Sequence, residues 1–233
     1  ASDVYKRQAK SGRRREDITL VAVSKTVGAA EVAEAYGAGQ RIFAENRVQN
    51  LLEKLSSVEA YGLEQADWHL IGTLQTNKVK YIIDKVSLIH SVDSAHLADE
   101  IDRCAAKHGR KMDCLLQVNV SGEASKHGVA LADVDRMVEH FAGLDNVCLK
   151  GLMTMAPLDA DEPELRKIFS SLYRKYIDIG SQKAHNVDMS FLSMGMTHDF
   201  SYAIEEGSNM IRIGTGIFHR PVSAESGFLQ KNF

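Results

Sequence analysis

Ile18-Thr19-Leu20-Val21-Ala22-Val23-Ser24-Lys25-Thr26 is a short, apolar, partly β-branched run that reaches a lysine and leads into a helical pattern. A run of this kind, bounded by polar residues, reads as a strand buried on both faces of a parallel sheet. Lys25 then falls at the C-terminal end of the strand, where α/β architectures place their active sites. Partial desolvation there favours the neutral amine that Schiff-base formation requires. The same lysine also fits a plain solvent-seeking side chain at a strand end. The neighbouring segments have to decide between the two.

Outward from this strand, helical and apolar stretches alternate. Residues 29–38 carry Ala, Glu and Val at helical spacing and stop at Gly37-Ala38-Gly39. Further strands are expected at 41–45, 67–72, 87–92, 113–120, 147–155, 189–195 and 210–214. Between them, helical patterns fall at 46–60, 77–84, 94–108, 131–144, 163–179 and 199–207. Eight short strands separated by seven helical patterns predict an α/β fold, a single (β/α)8 TIM barrel, whose usual length is about 250 residues. An open doubly wound sheet would announce itself with a glycine fingerprint after the first strand. Ser24-Lys25-Thr26-Val27-Gly28 is not one. With no repeat, low-complexity tract or linker, residues 9–233 are read as one domain.

The composition is that of an ordinary globular protein: 233 residues, 44% hydrophobic and 25% charged. A formal net charge of −3 argues against a general nucleic-acid or membrane-surface role. Cys104, Cys114 and Cys148 lack metal-type spacing and fit reduced thiols in a cytoplasmic protein. No apolar run approaches the roughly 18 residues of a membrane span. The start, Asp3-Val4-Tyr5-Lys6-Arg7-Gln8, reads like one frame of a translated sequencing adapter. Residues 1–8 are therefore expected to be a non-native or disordered tail outside the fold.

A barrel makes a specific demand: functional groups gather at strand C-termini, and phosphate sites favour the loops after strands seven and eight. The seventh strand ends Leu192-Ser193-Met194-Gly195-Met196-Thr197-His198-Asp199, with two hydroxyls, a glycine and a helix start. The eighth ends Arg212-Ile213-Gly214-Thr215-Gly216. Alternation puts Met210, Arg212 and Gly214 on one face and Ile211 and Ile213 on the other. A charge in an apolar strand needs a partner, either an internal ion pair or a ligand. A lysine, a phosphate cradle and an arginine at one barrel mouth suggest a phosphate-bearing aldehyde, of which pyridoxal 5′-phosphate (PLP) is the obvious member. Asn46 fits a helix N-cap or a ligand contact. His69 and His90 lie mid-strand, where hydrogen-bonded core histidines are expected rather than metal ligands. His198 and His219 sit near the mouth without a defined role, and a Ser193–His198–Asp199 triad is discounted for want of a nucleophile elbow.

Seven blocks carry a resemblance. They are Val21-Ala-Val-Ser-Lys25-Thr, Glu45-Asn-Arg-Val-Gln49, Trp68-His-Leu-Ile-Gly72-Thr-Leu-Gln-Thr-Asn-Lys78 and Val118-Asn-Val-Ser-Gly-Glu123-Ala-Ser-Lys126-His-Gly128, then Gly151-Leu-Met-Thr-Met-Ala-Pro157, Leu192-Ser-Met-Gly-Met196 and Ile211-Arg-Ile-Gly-Thr215. Over residues 10–220 the chain resembles the YggS/PROSC family of pyridoxal phosphate homeostasis proteins. The resemblance implies a barrel similar to the N-terminal domain of alanine racemase, with PLP covalently bound to Lys25 as an internal aldimine. It further implies that Arg212 approaches the pyridine nitrogen and that Asn46 lies near the ring. Ser193, Met194, Thr197, Gly214 and Thr215 would hold the phosphate. No catalytic residue and no metal are implied. Val27-Gly28, Ala44 and His219 depart from the family's usual proline and glycines, without removing a proposed cofactor contact.

The function so implied is that of a PLP carrier in vitamin B6 homeostasis rather than an enzyme, expected to be a monomer and to serve PLP-dependent apoenzymes. The alternatives are a PLP-dependent amino-acid racemase, a cofactor-free Schiff-base aldolase, and a partner-binding scaffold that merely keeps the fold. An arginine beside the ring nitrogen disfavours its protonation and weakens the ring as an electron sink, which speaks against efficient racemisation.

Overall fold

In the computed structural model, which describes residues 14–123 and 126–218, the opening run forms β1 (Thr19–Val23). Helix α1 (Ala29–Gly37) follows, then β2 (Ile42–Glu45), α2 (Val48–Leu55), the short α3 (Val58–Tyr61) and β3 (Asp67–Leu70). A 3-10 turn (Thr76–Tyr81) leads to β4 (Leu88–Val92), α4 (Ala95–Lys107) and β5 (Met112–Asn119). The chain continues through α5 (Val134–Ala142), β6 (Val147–Met153), α6 (Glu162–Gly180) and β7 (Val187–Ser193). It then runs through α7 (Phe200–Glu205), β8 (Met210–Ile213) and α8 (Thr215–Phe218). A two-residue strand, Val129–Ala130, pairs beside the end of β5.

Among the described residues the eight long strands are all parallel. Their order β4-β3-β2-β1-β8-β7-β6-β5 is closed by a β4–β5 pairing, which makes a barrel. The expected fold is therefore the one observed. Val21, Ala44, Leu88, Leu115, Met153 and Met210 fill the inside. The opposite strand faces pack on the helices, where α4 contributes Leu97, Ile101, Cys104 and Ala105 and α5 contributes Val134, Met137 and Phe141. On β8 the alternation is as read from sequence: Met210 joins the inner cluster, while Ile211 and Ile213 belong to an outer one.

Local chemistry explains where elements start and stop. Ser94 Oγ accepts from the Leu97 N–H, and Asp161 Oδ1 accepts from the Glu164 N–H, so α4 and α6 begin on side-chain caps. The single helix expected over 46–60 is instead broken at Ser56-Ser57. The Ser56 hydroxyl donates back to the Glu53 carbonyl at 2.7 Å, competing with the helical ladder. Gly28 caps α1 by donating its N–H to the Glu31 carboxylate at 3.0 Å.

Candidate functional site

Lys25 lies in the turn that links β1 to α1, closed by a 3.1 Å bond from the Val27 N–H to the Ser24 carbonyl. The side chain is exposed, so burial does not supply the desolvation expected of a strand-end lysine. Its neighbours follow from register. Val23 pairs with Ala44, and Ala22 with Ile213, which brings the end of β1 between Asn46 and Gly214. A Cβ on Gly214 would stand 3.3 Å from the Val23 carbonyl oxygen, so these loops are in contact.

Behind Lys25 stands a buried group that the sequence pattern did not reveal. Lys54 on α2 donates to Glu45 Oε1 at the end of β2 and, at 3.1 Å, to the Ser24 carbonyl. The Ser24 hydroxyl donates to the same Glu45 oxygen at 2.8 Å. Glu45 is fully buried and Lys54 nearly so. This cluster fixes the peptide that carries Lys25. Its sequence signals are slight: an acid at the C-terminal end of an apolar strand and a lysine nine residues later.

Asn46 is half-buried directly after β2; the α2 cap position belongs to Arg47, so of its two sequence readings the N-cap falls away. A cleft of about 410 Å³ opens beside it, walled by Arg47, Gln49, Thr73, Lys78 and Tyr81. Across the mouth, the loops after β7 and β8 meet. The Thr215 hydroxyl lies 3.3 Å from that of Thr197, at the start of α8. Gly195 makes the sharp turn possible: its φ is +95°, and a Cβ there would stand 2.6 Å from that of Ala203. The Asp199 carboxylate is committed to the Met196 N–H at 2.5 Å. Burial pushes its pKa up against that bond and the Arg212 field.

Arg212 is buried inside the barrel. Its guanidinium donates to Ser193 Oγ at 2.6 Å and to the Thr154 carbonyl at 2.9 Å. Among the described residues no carboxylate forms an ion pair with it, so the internal ion pair that sequence left open is not formed. Burial pulls its pKa down to about 10, opposed only by the field of Asp199. A guanidinium has five N–H donors, so this arrangement leaves donors over for a ligand.

Two expected phosphate contacts are placed elsewhere. The Ser193 hydroxyl is fully buried and held between Arg212 and His90, 3.1 Å from His90 Nδ1. Met194 turns its side chain into the outer core and spends its N–H on the Met210 carbonyl. Thr197, Gly214 and Thr215 remain at the mouth. His69 and His90 are core histidines bonded to each other at 2.9 Å. His198 is exposed beside a cleft of about 240 Å³ that also touches Met196 and Tyr202, and so takes no part in a triad with Ser193. His219, and the tail expected at residues 1–8, lie outside the described residues.

The likenesses of the chain to known proteins agree with this geometry. The family model for the alanine racemase N-terminal domain matches residues 5–220. A pyridoxal phosphate homeostasis protein of Aquifex aeolicus is 41% identical over 215 residues, covering 92% of either chain. Its counterpart in Escherichia coli is 36% identical over 207 residues, covering 89% of this chain and 87% of the relative. The structure of PipY from Synechococcus elongatus, with PLP bound, superposes with a TM-score of 0.81 at 36% identity, covering 92% of this chain and 99% of PipY. Motif order, barrel and these likenesses point the same way, and the chain belongs to the family of pyridoxal phosphate homeostasis proteins, built on the alanine racemase N-terminal domain.

Proposed function

We propose that this chain binds PLP at the C-terminal mouth of its barrel, covalently through Lys25, and serves PLP homeostasis without efficient racemisation. The observation that carries the reading is the chemistry of the donor set. The Lys25 amine, the Asn46 carboxamide, the Arg212 guanidinium and the Thr197 and Thr215 hydroxyls come from four separate strand ends and share one mouth. That set fits an anionic, aldehyde-bearing ring, and PipY is a relative with PLP bound. When bound, PLP supplies an aldehyde that condenses with a primary amine, with loss of water.

Lys25 presents that amine on an exposed turn, accessible from solvent. Thr197, Gly214 and Thr215 would hold the phosphate. Ser193 is reassigned from the phosphate to the support of Arg212, because its hydroxyl is already spent inside the barrel. Arg212, whose guanidinium only donates, opposes protonation of the ring nitrogen, so binding is favoured over carbanion chemistry. The exposure of Lys25 suits release of cofactor to PLP-dependent apoenzymes, with the chain acting as a cytoplasmic monomer.

Incubation with PLP, borohydride reduction and peptide mass mapping test this. The expected result is a pyridoxyl label on the Lys25 peptide, absent in Lys25→Ala. A label confined to other lysines, or no uptake at all, refutes it.

A further inference from the structure

A chain of hydrogen-bonded side chains, ending in a longer contact to a carboxylate, runs through the barrel below Arg212. Arg212 Nη1 donates to Ser193 Oγ, which is 3.1 Å from His90 Nδ1. His90 Nε2 is 2.9 Å from His69 Nδ1, and His69 Nε2 is 3.5 Å from Asp67 Oδ2. The four inner members are buried, whereas the Asp67 side chain is 43% exposed where β3 begins, at the opposite end of the barrel from Lys25.

The two ends fix the direction of the chain. A guanidinium only donates and a carboxylate only accepts. With both histidines neutral, one arrangement gives every hydrogen an acceptor. Arg212 donates to Ser193, the Ser193 hydroxyl to His90 Nδ1, His90 Nε2–H to His69 Nδ1, and His69 Nε2–H to Asp67. Reversing the histidines would face a bare His69 nitrogen toward the Asp67 carboxylate and leave the Ser193 hydroxyl idle. Burial, the largest cause, and the field of Arg212 hold His90 well below the ordinary histidine pKa, which agrees with a neutral His90 ring. Asp67 is lowered in turn: burial raises it, but hydrogen bonds from His69 and Ser87 outweigh that.

As mere filling, this chain is costly. Buried polar groups stand where Leu88, Leu115, Met153 and Met210 show that apolar side chains fill the same interior. What it supplies is a back support and a remote counter-charge for an arginine that, among the described residues, pairs with no carboxylate directly and feels Asp199 only through its field.

We propose that His90 is a positioning residue: anchored through His69 by Asp67, it fixes through Ser193 the Arg212 guanidinium that faces the PLP ring nitrogen. The role rests on the PLP reading above. Its first test uses cofactor-free protein with ¹⁵N-labelled histidine. Both His69 and His90 are expected as neutral Nε2–H tautomers, and an Nδ1–H tautomer at either position overturns the chain. The second test loads His90→Leu and Asp67→Ala with PLP carrying ¹⁵N in the ring. His90→Leu is expected to move the ring-nitrogen signal and to weaken uptake about tenfold. Asp67→Ala is expected to move the signal the same way by less. A purely structural role would lower the urea midpoint and leave the ring-nitrogen signal in place, and that result overturns the proposal. If His90→Leu does not fold, Asp67→Ala decides alone, since its side chain is partly exposed. Wild-type protein that shows the expected tautomers yet takes up no PLP overturns the assignment of the mouth, and with it the role of His90, while the chain itself stands.

Discussion

Replacing Lys54 by Met removes one member of the buried ion pair behind Lys25 and leaves the other charged. Glu45 is fully buried and one of its oxygens, Oε2, already has no hydrogen-bond partner, so the carboxylate depends on Lys54 and Ser24 at Oε1. Removing one member of a buried pair costs about 3–5 kcal/mol. The Ser24 hydroxyl still donates after the change, which places the expected loss near the lower end, at about 3 kcal/mol. For a chain of this size that corresponds to about 6–12 °C in Tm. The assay is urea unfolding, read as a fall in midpoint at constant slope. The double variant Glu45→Leu with Lys54→Met leaves no buried charge and is expected to recover most of the loss. Because Lys54 also holds the Ser24 carbonyl, next to Lys25, pyridoxyl labelling of Lys25 should fall in the single variant. A cost below about 1 kcal/mol, or a double variant no more stable than the single, refutes the reasoning.

Further outcomes are expected elsewhere. Lys25→Ala, at an exposed turn, should leave the urea midpoint within about 0.5 kcal/mol of wild type while abolishing the borohydride-fixed label; a large loss of stability would contradict the exposed placement. Gly72→Ala would set a Cβ 2.1 Å from the Asn46 carbonyl oxygen, so the ends of β2 and β3 must part. It should cost about 1–3 kcal/mol and weaken PLP uptake in an absorbance titration. His90 titrates below its ordinary value of 6.5 in the folded state. As pH falls below 6.5, the unfolded chain takes up a proton there that the folded chain refuses, so stability is present above 6.5 and lost on acidification. The slope is at most about 1.4 kcal/mol per pH unit. Half-buried Asp113 and buried Asp199, whose pKa values burial raises, act in the opposite sense in the carboxylate range and are common to both proteins in a comparison. The urea midpoint of wild type should therefore fall more steeply between pH 7 and 5 than that of His90→Asn, and equal slopes would exclude the effect.

The barrel was legible because its signals are local. Each strand shows as a short apolar run, and the alternation along residues 210–214 alone put Arg212 inside and Ile211 and Ile213 outside. That Lys25, Thr197, Gly214 and Thr215 lie just past strand C-termini was legible from strand placement alone. Helix details were less legible: the break at Ser56-Ser57 depends on a side chain folding back on its own backbone, against a pattern that reads as continuous helix.

Sequence by itself thus determined the fold class and which loops follow the strand C-termini, because periodicity and chain order settle which residues face inward and which end of a strand is open. Tertiary structure alone decided which inward residues meet. Ser193 reaches His90 across 103 positions of sequence, and Lys54 reaches back 30 positions to Ser24. Strand order and register create those contacts, and neither is written in any one segment. Ser193 reads as a phosphate contact at a strand end. Closure of the barrel turns the same hydroxyl inward, between an arginine that can only donate to it and a histidine able to accept.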